Sequence, residues 1–442
     1  MLVGLLGWGR GIAMVWAAKT KELQLTKITG HAPPRRSGVR GRAPEVRAIT
    51  FSPAELFGAM ARCSSLHLVD ADAVVAETET CRHLLQRYVG EDGDAFAILK
   101  TADRLKDFSR THFAGVVGAG IAYLQMIRDG YTWCDHFENL AFSGKASTTR
   151  SPDFVFNRRG ERSVALSESK ATRGSSRGQF DRTVKRGYLE QVSPYLGMQV
   201  GCSLVTHGFS VGSWMTSPTR AEILIHHTEP TNGDTDGSDE GNDPTDVKRG
   251  NYLTVLSLLL GSDVAQAARF GTWIASDSRF VTARWLGREW LLGFAPLPER
   301  YLLGTVDSAA WIEDRLSSSF AFNGFALDLG VARRFFRSLE PSALAVNPLD
   351  NLPEMDDRLM VEARAFDSAI FPDGFAVIGR DAELEFVSVN APLPLDAERT
   401  VVEPNEFEFK LNSETTLKLP RWDDLTDEQT QRPGQQKTWL AE

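Results

Sequence analysis

SPDFVFNRRGERSVALSESKATRGSSRGQFDRTVKRGYLEQVSPY, residues 151–195, sets the reading of everything around it. It holds Pro152-Asp153, then Glu168-Ser169-Lys170 after fourteen intervening residues, and later Gln191 and Tyr195. Phe154 to Phe156 and Ser163 to Ser169 are short apolar or β-tolerant runs, so both read as strands. The polar, Gly-containing segment between them reads as a turn. With Gly160-Glu161 as a two-residue loop, Gly takes the first turn position preferred in type II′ hairpins, and counting outward sets Asp153 opposite Glu168. With Arg159-Gly160 as the loop, Asp153 faces Leu166 instead, on the same sheet face. Alternation along the strand sends Glu168 and Lys170 to one side together. Two acids and a lysine therefore converge at one end of a hairpin.

Two carboxylates a few ångströms apart repel unless one is protonated or a cation sits between them. Mg²⁺ takes one or two carboxylates and leaves its other positions to water and phosphate oxygens. A lysine beside it would orient the attacking water or offset charge on a phosphoryl group. The chemistry this suggests is metal-assisted hydrolysis of a phosphodiester. Pro152-Asp153 followed by Glu168-x-Lys170 resembles the PD-(D/E)XK nuclease superfamily, which has the restriction-endonuclease-like fold. The resemblance implies that Asp153 and Glu168 hold Mg²⁺ or Mn²⁺ and that Lys170 assists the nucleophilic water. Gln191-x-x-x-Tyr195 is similar to the QxxxY element of the RecB-like branch, on the helix after the motif strands, and implies substrate contact or a local structural role. The order of elements agrees: a helical run from Leu105 to Asp129, the hairpin, a helix near Phe180 to Glu190, then strand-like runs at Cys202 to Trp214 and Ala221 to His226. The resemblance spans about residues 104–227.

Two features depart from that pattern, and the chain also carries a decoy of it. Gly118-Ala119-Gly120, on the first core helix, has Ala119 where members often carry an acid, so a third metal ligand is missing there or comes from Glu138 or nearby. Pro194 interrupts the QxxxY match and should disturb a continuous helix. A second Pro-Asp, Pro372-Asp373-Gly374, precedes an apparent hairpin from Phe375 to Val389 that has acids but no lysine. A non-catalytic nucleic-acid- or protein-binding module on a degenerate nuclease fold is the alternative, to which Ala119 gives weight.

The fold class expected is α/β, α+β overall: a restriction-endonuclease-like core of mixed sheet flanked by helices, a helical N-terminal region and a second α+β domain. A chain of 442 residues, 42% hydrophobic and 24% charged, has room for two or three such bodies. The boundaries read as a leader and basic linker (1–50), a helical region (51–103), the nuclease-like core (104–227), an acidic flexible linker or insertion (228–251), an α+β domain (252–400) and a polar tail (401–442). Ser52-Pro53-Ala54-Glu55 opens the first helix with a capping-box signal. Further helices are expected over 78–88 and 94–106, and an apolar one over Tyr252 to Arg269. The first eighteen residues are too short and Gly-rich for a membrane span and lack the charged start of a signal peptide.

Net charge is −9, against a generally basic nucleic-acid-coating protein, but residues 141–190 hold eleven Lys and Arg against five Asp and Glu. Within them Arg173 and Arg177, on a Gly- and Ser-rich loop, are candidate phosphate contacts. No Walker-type loop points to a motor. The four cysteines are widely spaced with no zinc or disulfide pattern, which fits a reducing, cytoplasmic setting. The expected partner is nucleic acid, DNA before RNA, with no membrane. The C-terminal half offers strand-like Phe280 to Phe294, a helix over Val331 to Leu339 and no catalytic constellation; it is read as a recognition or assembly domain, through which a homo-oligomer or partner protein would bind.

Overall fold

A computed structural model describes Trp16 and residues 20–64, 71–91, 93–143, 150–231, 244–271, 280–296, 320–339, 347–379, 382–384, 386–390, 406–410 and 416–420. The protein is mixed α/β and divides into two compact units, Val15–Ser64 with Thr80–Tyr252, and Met1–Met14 with Ser65–Glu79 and Leu253–Glu442. The apolar leader and the tail beyond Pro420 lie outside the described residues, except Trp16, as does the centre of the acidic segment.

The unit that carries the candidate site is built on a nine-stranded mixed sheet. In chain order its elements are β1 (Lys21–His31), β2 (Ala48–Phe51), α1 (Pro53–Ser64), the end of α2 (Ala71–Tyr88), α3 (Asp107–Arg128), β3 (Tyr131–His136), β4 (Phe142–Ser143), β5 (Phe154–Arg158), β6 (Val164–Thr172), α4 (Arg177–Gly187), β7 (Gln199–Val200), β8 (Ser203–Trp214) and β9 (Glu222–Thr228). The main path runs β2-β1-β9-β8-β6-β5-β3, with β4 and β7 appended beside β8. β3, β5 and β6 form an antiparallel meander, and β6 runs parallel to β8. A parallel neighbour cannot be reached by a tight turn, so α4 makes the crossover between them.

The leader-and-linker expectation for residues 1–50 needs correcting. β1 pairs parallel with β9 and antiparallel with β2, so this segment is part of the sheet. Its signal was present in Lys21-Glu22-Leu23-Gln24-Leu25-Thr26, where burial alternates residue by residue. The expected helix over 94–106 is also absent. Residues 89–98 make isolated bridges instead, and only Lys100–Arg104 turns, as a 3₁₀ helix. The helix predicted at Tyr252 starts earlier, α5 covering Thr245–Leu260 and thus the end of the supposed linker, with α6 (Ser262–Arg269) following. The capping box at Ser52 is present: Ser52 Oγ accepts from the Glu55 amide at 3.2 Å and Glu55 Oε2 accepts from the Ser52 amide at 2.7 Å.

Helices cover both faces of β6 and β8, and small residues set how closely. On one face a Cβ at Gly118 of α3 would come within 2.3 Å of Ala171 Cβ. On the other, a Cβ at Gly212 would come within 2.3 Å of Val184 and one at Gly208 within 2.2 Å of Val192. Phe180, Val184 and Leu224 fill the space between α4 and the sheet. Such contact leaves no room for a side chain without displacement.

The other unit contains a six-stranded sheet of order β13-β14-β12-β11-β10-β15, made from β10 (Phe280–Trp285), β11 (Arg288–Pro296), β12 (Phe320–Asp328), β13 (Ala369–Ile370), β14 (Phe375–Val377) and β15 (Phe386–Asn390), with α7 (Leu329–Ser338) and α8 (Asp357–Ala363). β16 (Glu406–Lys410) and β17 (Thr416–Pro420) pair separately. The strand-like run from Phe280 to Phe294 is two strands, β10 and β11, joined as a hairpin through Leu286-Gly287. The predicted hairpin from Phe375 to Val389 does not form: β14 lies between β12 and β13, whereas β15 pairs with β10. Asp373 is buried there and accepts from the Phe375 amide at 3.2 Å, a turn function.

Candidate active site

The β5–β6 register places the two acids together. Phe154 pairs with Ser167, so the next position outward sets Asp153 opposite Glu168. The turn that produces this is neither of the two predicted. A turn closes from Arg158 O to the Glu161 amide at 3.2 Å, with Gly160 at φ +79°, a conformation that favours glycine. Two further residues then precede β6, and they restore the register of the Gly160-Glu161 alternative. Asn157 Nδ2 bridges the irregular part by donating to Glu161 O and Ser163 O, both at 2.9 Å.

Asp153 Oδ2 accepts the Ser169 amide at 2.8 Å, which ties the first motif to the second. Lys170 Nζ donates to Glu168 Oε1. Glu168 is fully buried, and its Oε2 receives no hydrogen bond from the protein. Burial and the neighbouring Asp153 carboxylate push the Glu168 carboxyl up to about 8, against the opposing pull of Lys170. Asp153 is also raised, by partial burial, while its Ser169 hydrogen bond and Lys170 act against that. Asp153 lies at the solvent-exposed end of the pair and Glu168 at the buried end.

Elements beyond the hairpin complete the surroundings. Glu168 and Lys170 face α4, where a Cβ at Gly187 would meet Ser210 Oγ at 2.9 Å, Lys170 Cε at 3.2 Å and Glu168 Cγ at 3.3 Å. Ser210 pairs with Glu168 across β6 and β8, and its buried hydroxyl has no hydrogen-bond partner. Neither Gly187 nor Ser210 stood out in the sequence, because the crossover brings them in from other elements. Exposed Glu138 follows β3 near enough to Asp153 to raise it. Cys63 of α1 also feels Asp153, and its thiol, raised chiefly by burial, donates to Ala119 O at 3.6 Å. The signal for Cys63 was nil: ninety residues of sequence separate it from Asp153.

The remaining candidates divide. Gln191 Nε2 donates to Ser151 O and Tyr195 OH to Arg150 O, each at 2.9 Å. Both therefore grip the chain just before Asp153. They lie where α4 gives way to a π-turn over Tyr188–Val192 and a 3₁₀ turn over Ser193–Tyr195, the interruption Pro194 demands because it cannot donate and would crowd the preceding turn. Arg173 is a correction to the phosphate-contact expectation. Its guanidinium is 0% exposed, pairs with Asp103 at 2.6 Å and donates to Ile98 O and Met215 O. Arg177 is half-exposed but engaged, with Nε donating to Glu222 Oε2 at 2.8 Å.

Asp153 and Glu168 would suit one divalent cation. A buried carboxylate oxygen without a donor, facing a second carboxylate, is what a cation would satisfy. Among the described residues no group of three or more His, Cys, Asp or Glu side chains is gathered as a metal cage, so water and substrate oxygens would fill the other positions. No family model, no curated protein and no solved structure matches the chain. No helix among the described residues is long and apolar enough to cross a membrane.

Proposed function

We propose that the protein is a Mg²⁺- or Mn²⁺-dependent nuclease that hydrolyses phosphodiester bonds, in DNA before RNA, on a restriction-endonuclease-like core. The observation that carries this reading is Asp153 opposite Glu168, with Lys170 bonded to one Glu168 oxygen and the other left without a donor. The sequence of α3, the β3-β5-β6 meander, the α4 crossover and parallel β8 supports it, with Asp153 immediately before β5 and Glu168 and Lys170 on β6.

Asp153 and Glu168 would hold the cation, with the Ser169 amide fixing the Asp153 carboxylate. When bound, the cation would supply charge neutralisation at the phosphate and acidify a coordinated water. Lys170, anchored on Glu168, would donate to the water or to a phosphoryl oxygen as negative charge builds there. Gln191 and Tyr195 would keep the Asp153 segment in place. The binding-only alternative rests on Ala119, which offers no carboxylate where related helices offer one.

The test is incubation of labelled DNA and RNA with Mg²⁺, Mn²⁺ or EDTA. Asp153→Asn, Glu168→Gln and Lys170→Met should each lower hydrolysis by ~10²–10⁴-fold, with unchanged circular dichroism. Cleavage that survives EDTA, or that Lys170→Met leaves at the wild-type rate, would overturn the assignment. Salt-dependent binding without cleavage would favour the alternative.

A further inference from the structure

Helix α4 presents a row of cations to solvent. Arg182, Lys185 and Arg186 are exposed, and their i, i+3, i+4 spacing puts them on one helical face. None of the three forms an ion pair among the described residues. The only acid of the helix, Asp181, is already occupied by Lys27 at 2.7 Å and His226 at 3.3 Å. Arg177 is likewise spent on Glu222. Compensation of the helix dipole explains cations in the last turn, but not Arg182, nor the lack of any acid among the three. Leu189, three residues beyond Arg186, is 46% exposed and prolongs this face with an apolar side chain.

The row lies on the outer face of the helix whose inner face covers the candidate site. Gly187 follows Arg186 directly and packs over Lys170 and Glu168, closely enough that a Cβ would meet both. The chain as a whole carries −9 and repels a polyanion, so an unpaired local row is where one can be admitted.

We infer that Arg182, Lys185 and Arg186 bind the phosphodiester backbone of a nucleic-acid strand along the outer face of the helix that covers Glu168 and Lys170. The inference rests on the nuclease reading and adds where its substrate docks. Such contacts position the backbone and carry no base preference.

The experiment is fluorescence anisotropy of labelled single- and double-stranded DNA and RNA in EDTA, as a function of salt. It compares the wild type with R182A/K185A/R186A and with K100A/R104A/K106A, which removes three exposed cations elsewhere. Losing three phosphate contacts should lower the slope of log K against log salt by roughly 2–3, and the second variant should behave as wild type. The relative affinities of the DNA and RNA arms identify the preferred strand. No binding by the wild type, equal losses in both variants, or preferential binding to phosphatidylserine vesicles would overturn the docking face. Hydrolysis of bis(p-nitrophenyl) phosphate separates the two claims, because a small diester does not span the row. Glu168→Gln should abolish it and R182A/K185A/R186A should not. A row that binds strands in a protein that cleaves neither substrate leaves the docking face standing and removes the nuclease reading. Cleavage of the small diester with unchanged oligonucleotide binding in R182A/K185A/R186A does the reverse.

Discussion

Glu168 retains a proton at neutral pH because it is buried against a second carboxyl, and this links the site to stability. Its folded value is about 8 against an ordinary 4.5. Between those values the folded protein binds more protons than the unfolded chain, so stability falls as the pH rises through the interval. Metal-free protein should show a declining Tm from about pH 5 to pH 8, and Glu168→Gln should flatten that decline. On the nuclease reading Mg²⁺ would compete for the same carboxylate and should raise the Tm more at pH 8 than at pH 6. A thermal-shift series in EDTA and in Mg²⁺ measures both. A Glu168→Gln variant with the wild-type slope would show that the proton resides elsewhere.

The π-turn and 3₁₀ turn after α4 aim two side chains at the backbone of residues 150 and 151. A continuous α-helix would carry Gln191 and Tyr195 in a different relation, so Pro194 is part of the device that places Asp153. Gln191→Ala and Tyr195→Phe remove one hydrogen bond each and are expected to lower kcat by up to about 10²-fold, the scale of a misplaced reacting group, with little change in KM. A selective rise in KM instead would identify them as substrate contacts. The motif strands and the helices around them were legible because alternation and helical runs are local. The two-acid register was legible too, although Arg158–Glu161 reaches it through a turn with two further residues instead of the predicted two-residue loop. Phe375–Val377 and Phe386–Asn390 were recognisable as strands, yet their partners were not: the first pairs with nearby β13 and distant β12, the second with distant β10, and strand patterning alone does not encode which edge accepts which strand.

In the complete site-bearing unit, residues 21–31 prove structural. Leu23 is 0% exposed and sits in β1 between β2 and β9. Leu23→Ala should cost ~2–5 kcal/mol, as for other large-to-small core changes. Urea unfolding measures this, and a change within error of zero would return residues 20–31 to the role of a detachable arm. The segment escaped notice because Pro- and Gly-rich residues 32–44 follow it, and their composition coloured the reading of both flanks. Ser210, Gly187 and Cys63 were hidden for a related reason: a site assembled from a hairpin, a crossover helix and an earlier helix has no single stretch of sequence that contains it.

The parallel seam between β1 and β9 has a consequence for synthesis. Gln24 meets Glu222, so the first strand leaves the ribosome long before its neighbour exists. At ~5–20 residues per second the wait is roughly 10–40 s. Throughout that interval one edge of β1 has no mate, and whatever shields it in the cell governs how much of the newborn chain matures.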